Sequence, residues 1–178
     1  LDGATLQLSS QLTAYPSGAE FQIVNNDGSD PIQGTFAGLA EGDIIRVNGV
    51  PLTISYVGGD GNDVTLTVAP PNPVFIDPNF DFPFAGVDPD GDGPASIFGY
   101  DAFLSLQDAL NQAGSGGSIS LGAGTYDANA FGADVVTLIV GADNGDTLIT
   151  GTLSGSLSIH KTGTGTLTLT GDNTFTGG

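Results

Sequence analysis

The sequence predicts an all-β protein, and three features of its 178 residues carry that prediction. Short runs alternate apolar and polar residues, which is the pattern of strands with one buried face. Clusters of Gly, Asn and Asp separate these runs, and the 29 glycines are about twice the usual share, as many tight turns require. Only one segment has the spacing of an amphipathic helix. A chain of this length forms one domain or two small ones.

Residues 1–69 form the first predicted part, a block rich in strands. Asn48-Gly49 stands between two apolar runs and predicts a short hairpin, because both residues tolerate positive φ. Tyr56 and Val64 are expected to flank a second hairpin. The alternating runs predict strands at 5–8, 21–24, 44–47, 52–56 and 64–68.

Residues 70–98 form the second predicted part, a Pro- and Asp-rich linker or strap. Proline removes a donor from a sheet and restricts the residue before it, so we expect no regular sheet here. The apolar run 74–76, together with Phe80, Phe82 and Phe84, is expected to pin the strap to a neighbouring surface.

Residues 99–178 form the third predicted part, which opens with the helix candidate. Phe103, Leu106 and Leu110 lie on one face of that helix. The helix is predicted over 101–113, between Asp101 as its N-cap and Gly114 at its end.

Short strands follow the helix at a spacing of about ten residues. This spacing is too short for strand–helix–strand units and suits short strands that wind into a coil or a sandwich. Two small β-sandwiches are therefore the alternative architecture. The predicted strands are 119–121, 135–140, 148–149, 157–159 and 167–169.

The charge of the chain excludes two classes of partner. Twenty acidic residues stand against two basic ones, Arg46 and Lys161, for a net charge of −18. Such a surface repels nucleic acid and anionic lipid, and it attracts divalent cations or basic partners. No apolar run is long enough to insert into a membrane. The chain has no cysteine, so no disulfide or thiolate metal site is expected.

An acidic loop in the strap predicts a calcium site. Asp88, Asp90 and Asp92 alternate with Pro or Gly, and Asp101 follows nearby, so that hard oxygen ligands can wrap one Ca²⁺. The alternative is a solvated acidic turn. The segment 58–63 resembles a calcium-binding nonapeptide, but a single copy favours a glycine-rich hairpin turn.

The sequence predicts no catalytic site. His160 has no recognisable base or orienting partner, and Arg46 and Lys161 belong to different parts of the chain. Asp81 and Asp88 are a conceivable carboxylate pair, yet no pattern places them in a cleft.

The final stretch resembles the autotransporter-associated β-strand repeat. That family has a Lys, then Gly-x-Gly-Thr-Leu-x-Leu-x-Gly, then Asn-x-Tyr/Phe-Thr-Gly. The matching residues here are Lys161, Gly163, Gly165, Thr166, Leu167, Leu169, Gly171, Asn173, Phe175 and Gly177.

Two other stretches resemble parts of β-helical surface proteins. Residues 100–126 are similar to the N-terminal cap of right-handed parallel β-helices, in which a short helix covers the apolar end of the coil. Residues 34–64 are similar to the closing region of repeat blocks in giant bacterial surface proteins. These resemblances imply a closing block, a linker, and then the helix-capped start of a parallel β-helix.

The expected function is that of a non-catalytic structural repeat module in a bacterial extracellular surface or filament protein, such as an adhesin. It would assemble by head-to-tail β-stacking with copies of itself or with tandem repeats, and bound calcium would add stability. The expected assembly residues are Thr166, Leu167, Thr168, Leu169, Leu6 and Leu8.

The alternative function is a carbohydrate-binding or polysaccharide-lyase-like β-helix, with glycans as partners. It requires a groove lined by exposed aromatic side chains, for which the sequence offers Tyr56, Tyr100 and Tyr126.

Overall fold

The computed structural model describes residues 1–9, 14–91, 93–127 and 129–177, with the backbone alone for 130–135. The predicted all-β class is confirmed, because the described chain consists mostly of strands with one short helix. The chain divides into two compact units, Leu1–Ala69 and Pro70–Gly178. The division into three parts that the sequence suggests stays a prediction.

The first unit is an antiparallel sheet in the order β1-β4-β3-β2. Val47 pairs with Val50 across Asn48-Gly49, as the hairpin prediction requires, and both turn residues have positive φ. Its core is formed by inward side chains of β3 and β4, which are almost fully buried. The strands are β1 (Glu20–Val24), β2 (Ile44–Val47), β3 (Val50–Gly58) and β4 (Asp63–Val68).

The strand predicted at 5–8 is wrong. This segment follows an irregular path, on which Gly3 N–H donates to the Thr35 carbonyl and Ala37 N–H donates to the Ala4 carbonyl. Leu8 is half-buried and lines a small apolar groove beside β1 and β3. The assembly role expected of Leu6 and Leu8 stays a prediction.

The second unit contains two parallel sheets, and the chain alternates between them from Ser118 onward. The larger has the order β13-β11-β9-β7-β5-β6 and the smaller the order β12-β10-β8. Its elements are β5 (Val74–Ile76), β6 (Ala102–Phe103), α1 (Leu106–Gln112), β7 (Ser118–Leu121), β8 (Gly124–Asp127), β9 (Ala130–Val140), β10 (Thr147–Thr150), β11 (Leu153–Lys161), β12 (Leu167–Leu169) and β13 (Thr174–Phe175).

One passage of the chain through both sheets is called a rung here. Each rung lies on the one before it in parallel register, so that Leu148 pairs with Thr125 on one side and with Thr168 on the other. All described strand pairs of this unit are parallel, which excludes the antiparallel sandwich considered as the alternative. The right-handed β-helix stays a prediction.

The core of the second unit lies between the two sheets. Alternation along β9 buries Leu138 completely and leaves Ile139 half-buried, because successive side chains point to opposite faces. The other buried side chains of this core from β7 to β11 are Ile119, Leu121, Tyr126, Val136, Val140, Ile149, Leu153 and Leu157.

The helix is shorter than predicted and has a different N-cap. It begins at Leu106, and its N-cap is Ser105, whose hydroxyl accepts a hydrogen bond from Asp108 N–H. Asp101 is not the cap, because its carboxylate accepts hydrogen bonds from the backbone N–H groups of Ser96 and Ile97. Phe103 lies in β6 rather than on the helix.

The proline-rich part contains a strand, contrary to prediction. β5 pairs with β7 and β6 inside the larger sheet, and Val74 and Ile76 are buried in the core. The expected pinning is wrong for Phe82 and Phe84, which are 52% and 66% exposed. Only the start of this part is therefore integrated into the sheet.

Candidate functional site

The last rung, formed by β12 and β13, occupies one end of both sheets. Within the described residues, β12 pairs only with β10 and β13 pairs only with β11. Leu167 and Leu169 turn inward and pack against the core, while Thr168 is exposed. The rung thus extends the core of the second unit and presents a polar outer face.

The free edge of β12 carries main-chain groups of known direction. Thr170 N–H donates to the Ile149 carbonyl, so the main-chain groups of Thr170 face β10. Those of Thr168 do the same, because residues two apart in a strand share a direction. The N–H and C=O groups of Leu167 and Leu169 consequently face away from β10. They are positioned to bond a further strand.

Glycines permit the close approach of this rung to the one below it. A Cβ on Gly165 would collide with the carbonyl oxygen of Gly145, and a Cβ on Gly171 with that of Gly151. Both pairs lie twenty residues apart, as do the hydrogen-bonded Thr166 and Asp146. The glycines of the repeat therefore have a packing role. Comparing the sequence with itself at a shift of twenty residues could have revealed these stacked pairs.

Side-chain acceptors also join the turns of successive rungs. Asn144 Oδ1 accepts a hydrogen bond from Thr164 N–H at 3.1 Å, and Asn173 Oδ1 accepts one from Leu153 N–H at 2.9 Å. Sequence analysis missed Asn144 as a structural residue. These bonds satisfy backbone donors that the parallel ladders leave free at the turns.

The acidic loop brings Asp88 and Asp90 together. Asp88 Oδ1 accepts hydrogen bonds from the N–H groups of Asp90 and Gly91, and Asp90 Oδ2 accepts one from Ala95 N–H. Asp90 Oδ1 is a buried oxygen without a hydrogen-bond partner among the described atoms. Burial, with a smaller contribution from the adjacent Asp88 carboxyl, raises the pKa of Asp90 above its ordinary value.

Of the other two predicted calcium ligands, Asp101 accepts hydrogen bonds from the N–H groups of Ser96 and Ile97. Asp92 lies outside the described residues. Among the residues with described positions, no three His, Cys, Asp or Glu side chains form a group that could hold a metal ion. Asp88 and Asp90 thus supply part of a cation site at most.

The segment 58–63 is a hairpin turn, as favoured from the sequence. Gly58 pairs with Asp63 at the ends of β3 and β4. The Asp63 carboxylate is used internally, because it accepts hydrogen bonds from Asn26 N–H and from the Gln22 amide. These hydrogen bonds hold the hairpin turn against β1 and the residues that follow it.

The tyrosines proposed for a glycan-binding groove are buried. Tyr56, Tyr100 and Tyr126 are between 4% and 7% exposed, and Tyr56 belongs to the first unit. The Tyr126 hydroxyl donates a hydrogen bond to the Ile76 carbonyl at 3.0 Å, inside the second unit. They offer no stacking surface to a sugar, so this basis for the alternative function is wrong.

The two basic side chains donate to backbone carbonyls close to them in the sequence. Arg46 lies in the first unit and donates to the Gly49 carbonyl, whereas Lys161 lies in the second and donates to the carbonyls of Thr162 and Gly163. His160 is exposed on β11. Within the described part of the chain, no helix is long and apolar enough to cross a membrane.

Comparison with known families identifies the class of the last rung. Residues 159–178 match the family model described as Passenger-associated-transport-repeat. The predicted resemblance to an autotransporter-associated repeat is thereby confirmed for this stretch, which contains all of β12 and β13. The family is a repeat of passenger domains and is not known as catalytic. No curated protein and no solved structure matches the chain.

Proposed function

We propose that the chain is a structural module of a bacterial extracellular surface or filament protein, built around a parallel β-helix. The family match of residues 159–178 supports the surface class, because passenger domains are the parts to which this repeat belongs. The alternation of the chain between two parallel sheets supports the β-helix. Such a coil gives each rung a neighbour to stack on.

The observation that carries the proposal is the direction of the β12 main chain. Leu167 and Leu169 direct their N–H and C=O groups away from β10, and their half-buried side chains continue the apolar core. A strand that adds here gains ladder hydrogen bonds and covers the leucines at the same time. The occupant is a further rung, from a tandem repeat or from a second copy. Thr166 and Thr168 lie on the exposed outer face of the last rung of this chain.

Association in solution tests this edge. Leu169→Pro removes the outward N–H, whereas Leu169→Ala removes a similar part of the apolar side chain and keeps the N–H. We expect the wild-type chain and the alanine variant to associate as concentration rises in sedimentation velocity, and the proline variant to stay monomeric. A wild-type chain that remains monomeric at high concentration, or equal association of all three, would contradict the stacking proposal.

Calcium is the second part of the proposal. The adjacent carboxylates of Asp88 and Asp90 and the unpartnered buried Asp90 Oδ1 support a Ca²⁺ bound at the acidic loop, where Asp92 adds a third carboxylate in sequence. Bound Ca²⁺ would offset the repulsion between the paired carboxylates. The large negative charge of the chain favours cation uptake in general.

Thermal unfolding with calcium and with EDTA tests this part. Calcium should raise the melting temperature of the wild-type chain and leave that of Asp90→Asn unchanged. Asp60→Asn, an exposed carboxylate in a turn of the first unit, is the matched control and should respond as the wild type does. A melting temperature that is the same in calcium and EDTA would dismiss the site.

A further inference from the structure

The two ends of the second unit differ in what covers them. At one end the larger sheet finishes with β6, where Ala102 forms a bridge with Phe98. The smaller sheet finishes there with β8, and a Cβ on its first residue, Gly124, would collide with the ring of Pro78. The helix α1 contacts β5, β6 and β9 and buries one face in the core. Segments of the same chain therefore lie over this end.

The opposite end offers a strand edge. Within the described residues, β12 pairs only with β10, and the N–H and C=O groups of Leu167 and Leu169 face away from it. Residues 162–171 include no charged side chain, although the chain as a whole carries a net charge of −18. Two copies that meet at this stretch therefore repel each other less than copies that meet at an acidic part of the surface.

The edge of β12 is complementary to itself under a two-fold rotation. In an antiparallel pair with Thr168 opposite Thr168 of a second copy, Leu167 lies opposite Leu169. Each leucine pair then exchanges both of its hydrogen bonds, as the closely spaced pairs of an antiparallel ladder do. Residues directly opposite each other share a face. The leucines therefore meet on the side of the core, and the two exposed threonines meet on the outer side.

We propose that a second copy of the chain occupies this edge, related to the first by a two-fold axis at Thr168, so that association stops at the dimer. The inference rests on the stacking proposed at β12 and specifies its partner and symmetry. A head-to-tail contact within the second unit would need a free edge at the end that α1 and the strap cover, and its repetition would build a filament. The two-fold contact uses the open end of both copies and leaves the covered ends outside.

Single cysteines test the register of this contact. Thr168→Cys places two sulfur atoms at a pair of the kind whose Cα atoms lie about 4.5 Å apart, which is within the range of a disulfide. We expect mild oxidation to convert most dimers to covalent dimers. Adding Leu169→Pro removes an outward N–H at the edge and should prevent the bridge.

Thr170→Cys is the matched control, because Thr170 is exposed as Thr168 is but lies opposite Thr166 of the second copy. Alone, Thr170→Cys should stay reduced. A mixture of Thr170→Cys chains with Thr166→Cys chains should bridge. Equal bridging of Thr168→Cys and Thr170→Cys would show random collision and would overturn the two-fold contact. Far-ultraviolet circular dichroism that matches the wild type establishes that the variants are folded.

Sedimentation velocity separates this inference from the stacking on which it rests. We expect the wild-type chain to pass from monomer to dimer as concentration rises, with no larger species. A monomer at every concentration would contradict both the stacking and the two-fold contact. Growth beyond the dimer while Thr168→Cys stays reduced would overturn the two-fold contact alone and support head-to-tail stacking. A dimer in which Thr168→Cys stays reduced would overturn it as well.

Discussion

The Asp146 carboxylate accepts a hydrogen bond from the backbone N–H of Thr166 at 2.6 Å, across two successive rungs. In the opposite direction, Thr147 N–H donates to the carbonyl of Thr166. Thr166 is thus fastened on both of its main-chain groups just before β12 begins. The register of the last rung is set at this point, and the packing of Leu167 and Leu169 follows from it.

Replacement of Asp146 should loosen the last rung. Asp146→Ala leaves the Thr166 N–H without its acceptor, and we expect a loss of about 1–2 kcal/mol in the stability of β12. Hydrogen exchange of the β12 amides measures this as faster exchange. Asp146→Asn keeps an acceptor oxygen and should lie close to the wild type. Equal exchange in Asp146→Ala and in Asp172→Ala, an exposed neighbour in the next turn, would contradict the assigned role.

The close contact between Gly171 and Gly151 makes a second prediction. A methyl group at 171 meets the Gly151 carbonyl, which is part of the backbone and cannot rotate away. Gly171→Ala should therefore lower the free energy of unfolding of the second unit by about 2–3 kcal/mol. Urea denaturation followed by circular dichroism checks the value. Asp172→Ala, one residue further, should change it by less than about 0.5 kcal/mol.

The buried side chain of Leu157 makes a third prediction. Leu157 is completely buried between the two sheets, whereas Leu104 is 46% exposed. Leu157→Ala should lower the free energy of unfolding by about 2–5 kcal/mol, because it removes buried methyl groups and leaves a cavity. Leu104→Ala makes the same chemical change at the surface and should have little effect. Similar losses in the two variants would be inconsistent with the described core.

Most strands could be predicted from the sequence, because alternation and glycine-rich turns act locally. Asn48-Gly49 fixed its hairpin without reference to the rest of the chain. Residues 5–8 alternate equally well, yet they form no strand, because alternation says nothing about whether a partner strand is in reach. β5 was missed because the prolines around it were taken to exclude a strand. Its three residues lie between Pro73 and Pro78, so neither proline interrupts the pairing itself.

The site was predictable only in part. The repeat pattern identified the last rung, since its glycines and leucines recur at fixed positions. The helix cap was not predictable, because Asp101 and Ser105 are both good caps and the choice depends on the loop at Ser96 and Ile97. No local pattern carries that information.

The raised pKa of Asp90 makes a fourth prediction. The folded protein binds the Asp90 proton more tightly than the unfolded chain does, so stability is lost as pH rises from about 4, the value for an unfolded Asp, through the folded pKa. Asp90→Asn does not titrate. In EDTA, the melting temperature of Asp90→Asn minus that of the wild type should therefore increase from pH 3 to neutral pH. A constant difference across this range would argue against the assigned shift.

The parallel register of successive rungs is the central claim, and a disulfide tests it most directly. The chain has no cysteine, so an introduced pair has no competitor. Leu148 pairs with Thr168, while Thr170 lies two residues further along the same chain. Oxidation should bridge Leu148→Cys with Thr168→Cys in nearly every molecule, and should leave Leu148→Cys with Thr170→Cys reduced, because only the first pair meets the Cα separation of a disulfide. Equal bridging of both pairs, or bridging of the second alone, would contradict the parallel register of the rungs.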